Sequence, residues 1–409
     1  MRQGKLLRAF HALSAGGLAL AALAGTAHAQ VSDGVVKLGV TNDQSGIYSE
    51  AGGRGVVTAV EMAVEDFGGT VLGKPIQIVS ADNQSKPDVG VAIVRRWLDT
   101  EQVDVIVDGG NSSVGMAIQE VARQKNKIFL ITGSGTTALT NKACSPVGFQ
   151  WSWDTYALSA GTAGALVKQG LDSWFFITAD YTFGHILEAE STEVVKKHGG
   201  KVLGSVRHPF NTQDFSSYLL QAQGSGAKVI ALANAGGDST TAIKQANEFG
   251  ITKNGTKLAA LLLNITDVHA LGLKTAQGLI ITATYYWDRN DTSREFGRRY
   301  MKLTNKAPTY LQAGAYSAVT HYLKAVKAAG TDETTAVAAQ MRKMKINDAM
   351  TENGYIREDG KVMRDIYVVQ VKSPEESKEP WDYYKVLATV PAEQAARPLS
   401  ESQCPLVKK

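Results

Sequence analysis

Short apolar runs alternate with longer stretches in which apolar residues recur every three or four positions, and the alternation begins at residue 35. Residues 35–41 form a run that ends in polar side chains. Within 51–67, Val56, Val60, Ala63, Val64 and Phe67 share one helical face. Runs at 76–81, 103–107 and 128–132 predict three more strands, with helices at 88–98 and 114–124 between them. Strands separated by helices build βαβ units around a parallel sheet covered on both faces. A second series starts after Tyr156, with strands predicted at 174–178, 201–206, 229–233 and 258–262. The chain then runs extended at 278–284, gives helices at 292–304, 310–327 and about 333–344, and ends in strand-like segments at 366–371 and 383–387. The pattern predicts an α/β protein with two parallel-sheet domains of similar build.

Charge and cysteine usage add a compartment. The 409 residues carry a formal net charge of +4, but Arg2, Lys5 and Arg8 lie in a segment, 1–29, that contains no acid; removing those three charges leaves +1. A near-neutral body without a basic block lacks the electrostatic footprint of a nucleic-acid binder. Residues 1–8 are basic, 12–25 are small and apolar, and Ala27-His28-Ala29 is a small-x-small cleavage signature. This predicts a secretory signal peptide cut after Ala29, since the apolar run falls short of the roughly 20 residues that span a bilayer. The chain's two cysteines, Cys144 and Cys404, both follow the signal. In an oxidising compartment they read as one disulfide, the alternative being two buried free thiols.

Ligands of open parallel sheets bind outside the carboxyl ends of the strands, so the polar residues there are the candidates. The first strand runs out into Thr41-Asn42-Asp43-Gln44-Ser45-Gly46-Ile47-Tyr48, the third into Asp108-Gly109-Gly110-Asn111-Ser112-Ser113 and the fourth into Thr132-Gly133-Ser134-Gly135-Thr136-Thr137. Two neighbouring strand ends rich in Gly and Ser expose backbone N–H groups and hydroxyls beside a helix start, which predicts a small anion site suited to a carboxylate; helix capping alone would explain any single residue among them. In the second series the ends are Ala179-Asp180-Tyr181-Thr182-Phe183-Gly184, Asn234-Ala235-Gly236-Gly237-Asp238 and Asn264-Ile265-Thr266-Asp267. Tyr156, at the start of that series, and Tyr286, beside the return to the first domain, are further candidates, although core packing explains such aromatics equally well.

Other chemistries find little footing. Residues 133–138 match G-x-G-x-x-A, but this is not the first βα turn and Pro146 would break the following helix, so a dinucleotide is not expected. The histidines beyond the signal show no metal-ligand spacing, and His208 reads as a surface loop residue before Pro209. There is no G-x-S-x-G elbow and no Walker loop. No cofactor, metal or catalytic set is expected, and a secreted hydrolase would need a nucleophile and base assembled from distant positions.

Together, the signal peptide, Val35-Val36-Lys37-Leu38-Gly39-Val40, Gln44-Ser45-Gly46, Ala59-Val60-Glu61-Met62-Ala63, the block 179–184 and Thr275-Ala276-Gln277-Gly278-Leu279 resemble the periplasmic solute-binding proteins of the branched-chain amino-acid (Leu/Ile/Val) ABC importer family. The likeness covers nearly all of the chain after the signal. It implies a periplasmic binding protein type I fold: two Rossmann-like domains, a cleft and a three-crossover hinge. The implied lobes are 30–152 with 284–362 and 153–283 with 363–409. The resemblance further implies a monomeric, non-catalytic periplasmic receptor that closes on one small molecule and delivers it to an inner-membrane permease. First-lobe contacts are implied at Gln44, Tyr48, Gly110, Asn111, Ser112, Ser113, Gly133, Ser134 and Gly135, and opposite ones at Tyr156, Tyr181, Gly236, Asp238, Asn264, Asp267 and Tyr286. Members that bind amino acids carry an acid for the ammonium in the loop after Leu263; here Asn264 is neutral and Asp267 sits later. Without a carboxylate a buried ammonium is costly. The chain is similar to the subgroup that binds aromatic acids such as hydroxybenzoates and phenylpropenoids, with Tyr48, Tyr181 and Trp151 or Trp153 as stacking candidates. A branched-chain amino acid or an amide is the alternative ligand.

Overall fold

The computed structural model describes residues 31–408, so the expected signal peptide lies outside the described residues. Two parallel sheets dominate. The first runs in the order Thr70–Val71, Lys74–Asp82, Val36–Asn42, Val105–Asp108, Ile128–Ile131, Gly148–Gln150, parallel throughout except for the opening hairpin. Val105–Asp108 and Ile128–Ile131 are buried along their whole length, as a sheet with helices on both faces requires. The second runs Lys257–Ala260, Val229–Ala233, Ser173–Ala179, Lys201–His208 and is parallel throughout.

The chain passes between these halves three times. It leaves the first after Gly148–Gln150 and returns after Ile280–Ala283, to helices Asp291–Thr304 and Tyr310–Ala329, which pack on Gly53–Asp66 of the first half. It leaves again before Ile366–Val371, which pairs antiparallel with Ile280–Ala283. A tail beyond Val390 then turns back, and Cys144 and Cys404 form a disulfide.

The expected α/β architecture is the observed one, and the differences are local. Ile280–Ala283, Ile366–Val371 and Tyr384–Val390 make a third, antiparallel sheet, because strand periodicity says nothing of the direction of pairing. Thr70–Val71, Gly148–Gln150 and the hairpin Tyr355–Ile356 with Val362–Met363 are too short to print a period on the sequence. His208 is not a surface residue: it ends the strand Lys201–His208 and is fully buried against Phe215. Its Nδ1–H donates to the Pro209 carbonyl at 2.8 Å, leaving Nε2 to accept from Asn234 Nδ2 at 3.1 Å, and burial lowers its pKa, keeping the ring neutral.

Candidate functional site

In each sheet the chain reverses strand order beside its first strand, and a crevice opens at the carboxyl ends there. In the first sheet the crevice lies between Val36–Asn42 and Val105–Asp108, in the second between Ser173–Ala179 and Val229–Ala233. One cavity joins them. It encloses about 550 Å³ of atom-free space, solvent at its opening included, which is the size of a small-molecule site. Asn42, Asp43, Tyr48, Asp108, Gly110, Asn111, Ser112 and Gly133 line it from the first half, and Tyr181, Phe183, Ala235, Gly236, Leu262 and Asn264 from the second, with Trp153, Tyr310 and Leu311 completing the wall.

The turn after Val105–Asp108 brings backbone to the cavity. Asp108, Gly109 and Gly110 take φ of +80°, +86° and +70°, and a side chain on Gly110 would press on Asn83. The turn delivers Asn111 to the N-cap of Ser112–Gln124, where its Oδ1 accepts the Val114 N–H at 3.1 Å. The N–H groups of Ser112 and Ser113 have no partner within their own helix and sit at its positive end. Ser112 Oγ accepts the Thr136 N–H at 3.2 Å, which leaves its own proton to donate.

Asp43 and Asp108 line the cavity, and among the described residues no Lys, Arg or His does. Asp43 is occupied by its own loop, accepting from the N–H groups of Gly46 at 2.6 Å and Tyr48 at 3.2 Å and from the Ser85 hydroxyl at 3.0 Å. Asp108 is buried, its Oδ2 accepting from Asn42 Nδ2 at 2.9 Å, and burial pushes its pKa up to about 6. Among the described residues Asn42 Oδ1 and Asp108 Oδ1 have no hydrogen-bond partner of good geometry, although the Thr132 hydroxyl and the Gly110 N–H approach the Asp108 carboxylate.

Aromatic rings supply the rest. Trp153 stands edge-on to Phe183 at 5.7 Å and Tyr310 at 5.8 Å, with Nε1 anchored on the Thr132 carbonyl at 3.2 Å. The hydroxyls of Tyr48 and Tyr181 meet at 2.6 Å and bridge the two halves, and Phe210 lies edge-on to both rings. Burial holds both phenols neutral, well above their ordinary pKa. Beside them Gly236, at φ +57°, lies so close to the first half that a Cβ would come 2.7 Å from the Ile47 carbonyl oxygen.

Of the residues expected from sequence, Tyr48, Gly110, Asn111, Ser112, Gly133, Tyr181, Gly236 and Asn264 line this cavity. The others lie behind or beside it. Ser134 donates to the Gly110 carbonyl at 2.8 Å and braces the turn from below, and Gly135 is covered by the Trp153 ring. Ser113 donates to Thr182 Oγ1 at 3.1 Å, a second bridge between the halves. Gln44 is fixed through its N–H to Asp82 at 3.0 Å. Asp238 accepts from the N–H groups of Asn211 and Thr212, holding the loop of Phe210, and Asp267 accepts the Asn264 N–H at 2.8 Å. Tyr156 lies under the Arg397 guanidinium, and Tyr286 is core, with its hydroxyl donating to Asp382 at 3.2 Å. Trp151 is also core, donating to Ser317. Tyr310 and Leu311 were not expected; Pro308-Thr309 marks their helix start, but only tertiary packing aims that start at the cavity.

Among the described residues, Asp33, Asp104 and Asp332 bring carboxylate oxygens within 4.8 Å of one another; Lys127 already faces Asp104 at 3.4 Å and Ser32 donates to Asp332. No helix among the described residues is long and apolar enough to cross a membrane.

Comparison with known proteins agrees with this construction. A periplasmic binding protein from Burkholderia mallei is 52% identical and matches with a TM-score of 0.90 over 91% of this chain and 99% of that one. A branched chain amino acid ABC transporter periplasmic ligand-binding protein from Burkholderia xenovorans LB400 is 39% identical, with a TM-score of 0.83 and the same coverage of both chains. A solute binding protein of an ABC transporter from Rhodopseudomonas palustris BisB5, solved with 3,4-dihydroxy benzoic acid, shares the fold at 21% identity and a TM-score of 0.80, over 88% of this chain and 98% of that one. The match to the family of periplasmic binding proteins runs over residues 35–378, through both sheets and every strand end that lines the cavity, and the chain belongs to that family.

Proposed function

We propose that this chain is the receptor of an ABC importer and captures an aromatic monocarboxylate, of the hydroxybenzoate or phenylpropenoid class, in the cavity between its lobes. One observation carries the reading: a wall of aromatic rings stands beside free helix N–H groups, with no basic side chain in the lining. The carboxylate is held by the N–H and hydroxyl of Ser112, as helix starts hold anions. The ring packs against Trp153, Tyr181 and Phe183. The fold itself accommodates such a ligand, as the Rhodopseudomonas palustris protein does. The receptor works in the periplasm with a membrane permease, after cleavage at Ala29, as a pair of lobes formed by 30–152 with 284–362 and 153–283 with 363–409.

A second reading has its own support. Among the described residues Asn42 Oδ1 is a buried acceptor without a donor, and beside it stands the Asp108 carboxylate, which the Thr132 hydroxyl and the Gly110 N–H only partly satisfy; the ammonium of a branched-chain amino acid or the N–H of an amide would supply a further donor. Isothermal calorimetry with 4-hydroxybenzoate, p-coumarate and leucine separates the two. Saturable binding of the aromatic acids is expected, and tight leucine binding with no response to either acid would overturn the first reading.

A further inference from the structure

Asn264 stands at the start of the helix Ile265–Leu271 and lines the ligand cavity from the second half. Both of its nitrogens are committed to one carboxylate. Its backbone N–H donates to Asp267 Oδ2 at 2.8 Å, and its Nδ2 donates to the same oxygen at 3.1 Å. Burial pushes the pKa of Asp267 up to about 6, so above that pH it is ionised. An ionised carboxylate accepts and does not donate, so Asp267 fixes which way round the amide stands and leaves Oδ1 as its free end. The Asp267 N–H faces Asn264 as in a capping box and donates at 3.0 Å to its main-chain carbonyl. Among the described residues Asn264 Oδ1 is thus a buried acceptor without a partner of good geometry.

A hydroxyl stands at the same end of the cavity. Tyr310 lines the cavity too, and it and Asn264 both border a recess walled by Tyr285, Tyr286 and Tyr384. Its phenol lies within electrostatic reach of Asp267, and burial keeps it neutral and able to donate. One ligand hydroxyl would complete this pair, since a hydroxyl donates and accepts at once. Neither a carboxylate, which only accepts, nor an apolar ring edge supplies the proton that Asn264 Oδ1 lacks. Ser112 and Asn264 belong to opposite halves, so a ligand that uses both is polar at both ends.

Resting on the aromatic-acid reading above, we infer that the ligand is a phenolic acid: Asn264 selects a ring hydroxyl at the end away from the carboxylate, and Asp267 is the residue that positions Asn264. The carboxylate lies on Ser112 of the first half and the hydroxyl between Asn264 and Tyr310.

Isothermal calorimetry near pH 7 compares benzoate, 4-hydroxybenzoate and 4-methoxybenzoate, with cinnamate, p-coumarate and 4-methoxycinnamate as a longer set. The methyl ether keeps the oxygen and removes its proton, and the unsubstituted acid controls for bulk. In at least one set the hydroxylated acid should bind roughly five- to a hundredfold more tightly than both others, the factor by which a closed site disfavours an unpaired buried acceptor. Asn264→Leu should bring the hydroxylated and unsubstituted acids to within about twofold of each other; a preference that survives this change overturns the role of Asn264. Asp267→Ala frees the amide to turn its Nδ2 to the ligand, and the methyl ether should then gain on the hydroxylated acid, a change that loosening of the helix start alone would not produce. If either variant fails to fold, the unaltered protein still decides. Equal affinities within each set overturn the inference and leave the aromatic-acid reading standing, whereas no binding of any of these acids overturns both.

Discussion

Asp108 gives the ligand cavity a charge test of its own. A ligand carboxylate entering beside it brings a second negative charge to a wall with no basic side chain. Like charges at close range disfavour joint ionisation, so a pKa already raised to about 6 by burial moves higher when the ligand arrives. Between the free and bound values binding takes up a proton, and affinity therefore falls as pH rises. Calorimetry from pH 5.5 to 8.5 should find 4-hydroxybenzoate binding weakening by up to about tenfold per pH unit above 6. For an amino acid the sign reverses, because an ammonium prefers the ionised Asp108 and affinity would climb through pH 6. Asp108→Asn, which retains an acceptor for Asn42 Nδ2 and tolerates a positive φ, should flatten either profile. A flat profile in the unaltered protein would show that Asp108 does not meet the ligand's charge.

At the scale of elements, the tail after Tyr384–Val390 behaves as a strap across both halves. Cys404 is bonded to Cys144 of the first half, the Gln403 N–H donates to Asn141 at 2.5 Å, and Arg397 Nη2 reaches Glu190 of the helix Thr182–Lys197 at 2.9 Å. The bridge closes 260 residues of chain, and loop entropy puts its contribution at up to about 5 kcal/mol. A Cys144→Ser, Cys404→Ser double variant should unfold at a lower temperature and be cut by a glutamate-specific protease after the exposed Glu401, where the unaltered protein should resist. Identical digests would mean that the Arg397–Glu190 pair holds the strap unaided. The strap also shows what sequence could and could not tell. Long elements such as Gly53–Asp66 and Ser112–Gln124 were legible because a helical period over more than ten residues has one packing solution. The cysteine pair was legible from the compartment. Two-residue strands and the antiparallel third sheet were not, since neither leaves a period. Strand-end loops, expected as ligand contacts, do border the cavity, but sequence does not say which face of a loop turns inward. Ser112 faces the cavity whereas Ser134, at the next strand end, faces the turn behind it, and Tyr286 goes to the core.

For the molecule as a whole, the contacts between halves imply a motion. The Tyr48–Tyr181 hydroxyl pair, the Ser113–Thr182 bond and the approach of Gly236 to Ile47 all join elements that only the three passages and the strap connect. A ligand touching both walls stabilises this closed arrangement over an open one by the sum of those contacts. Small-angle scattering should show the radius of gyration falling when ligand is added. Tyr48→Phe or Tyr181→Phe removes one hydrogen bond, worth about 0.5–1.5 kcal/mol, so affinity should drop roughly two- to tenfold, and the double variant should be no worse than either single one. Gly236→Ala acts differently. Its added Cβ meets the Ile47 carbonyl when the halves come together, and at φ +57° and ψ −130° it also strains the turn whether or not they do, so the variant should lose some stability as well as closure, and its melting temperature is measured beside the scattering. With the closed state depopulated, apparent affinity falls in proportion, by about tenfold for each 1.4 kcal/mol of collision, and scattering should record no compaction at ligand concentrations that saturate the native protein. Compaction equal to that of the native protein would mean that the Gly236–Ile47 approach does not belong to the ligand-bound state.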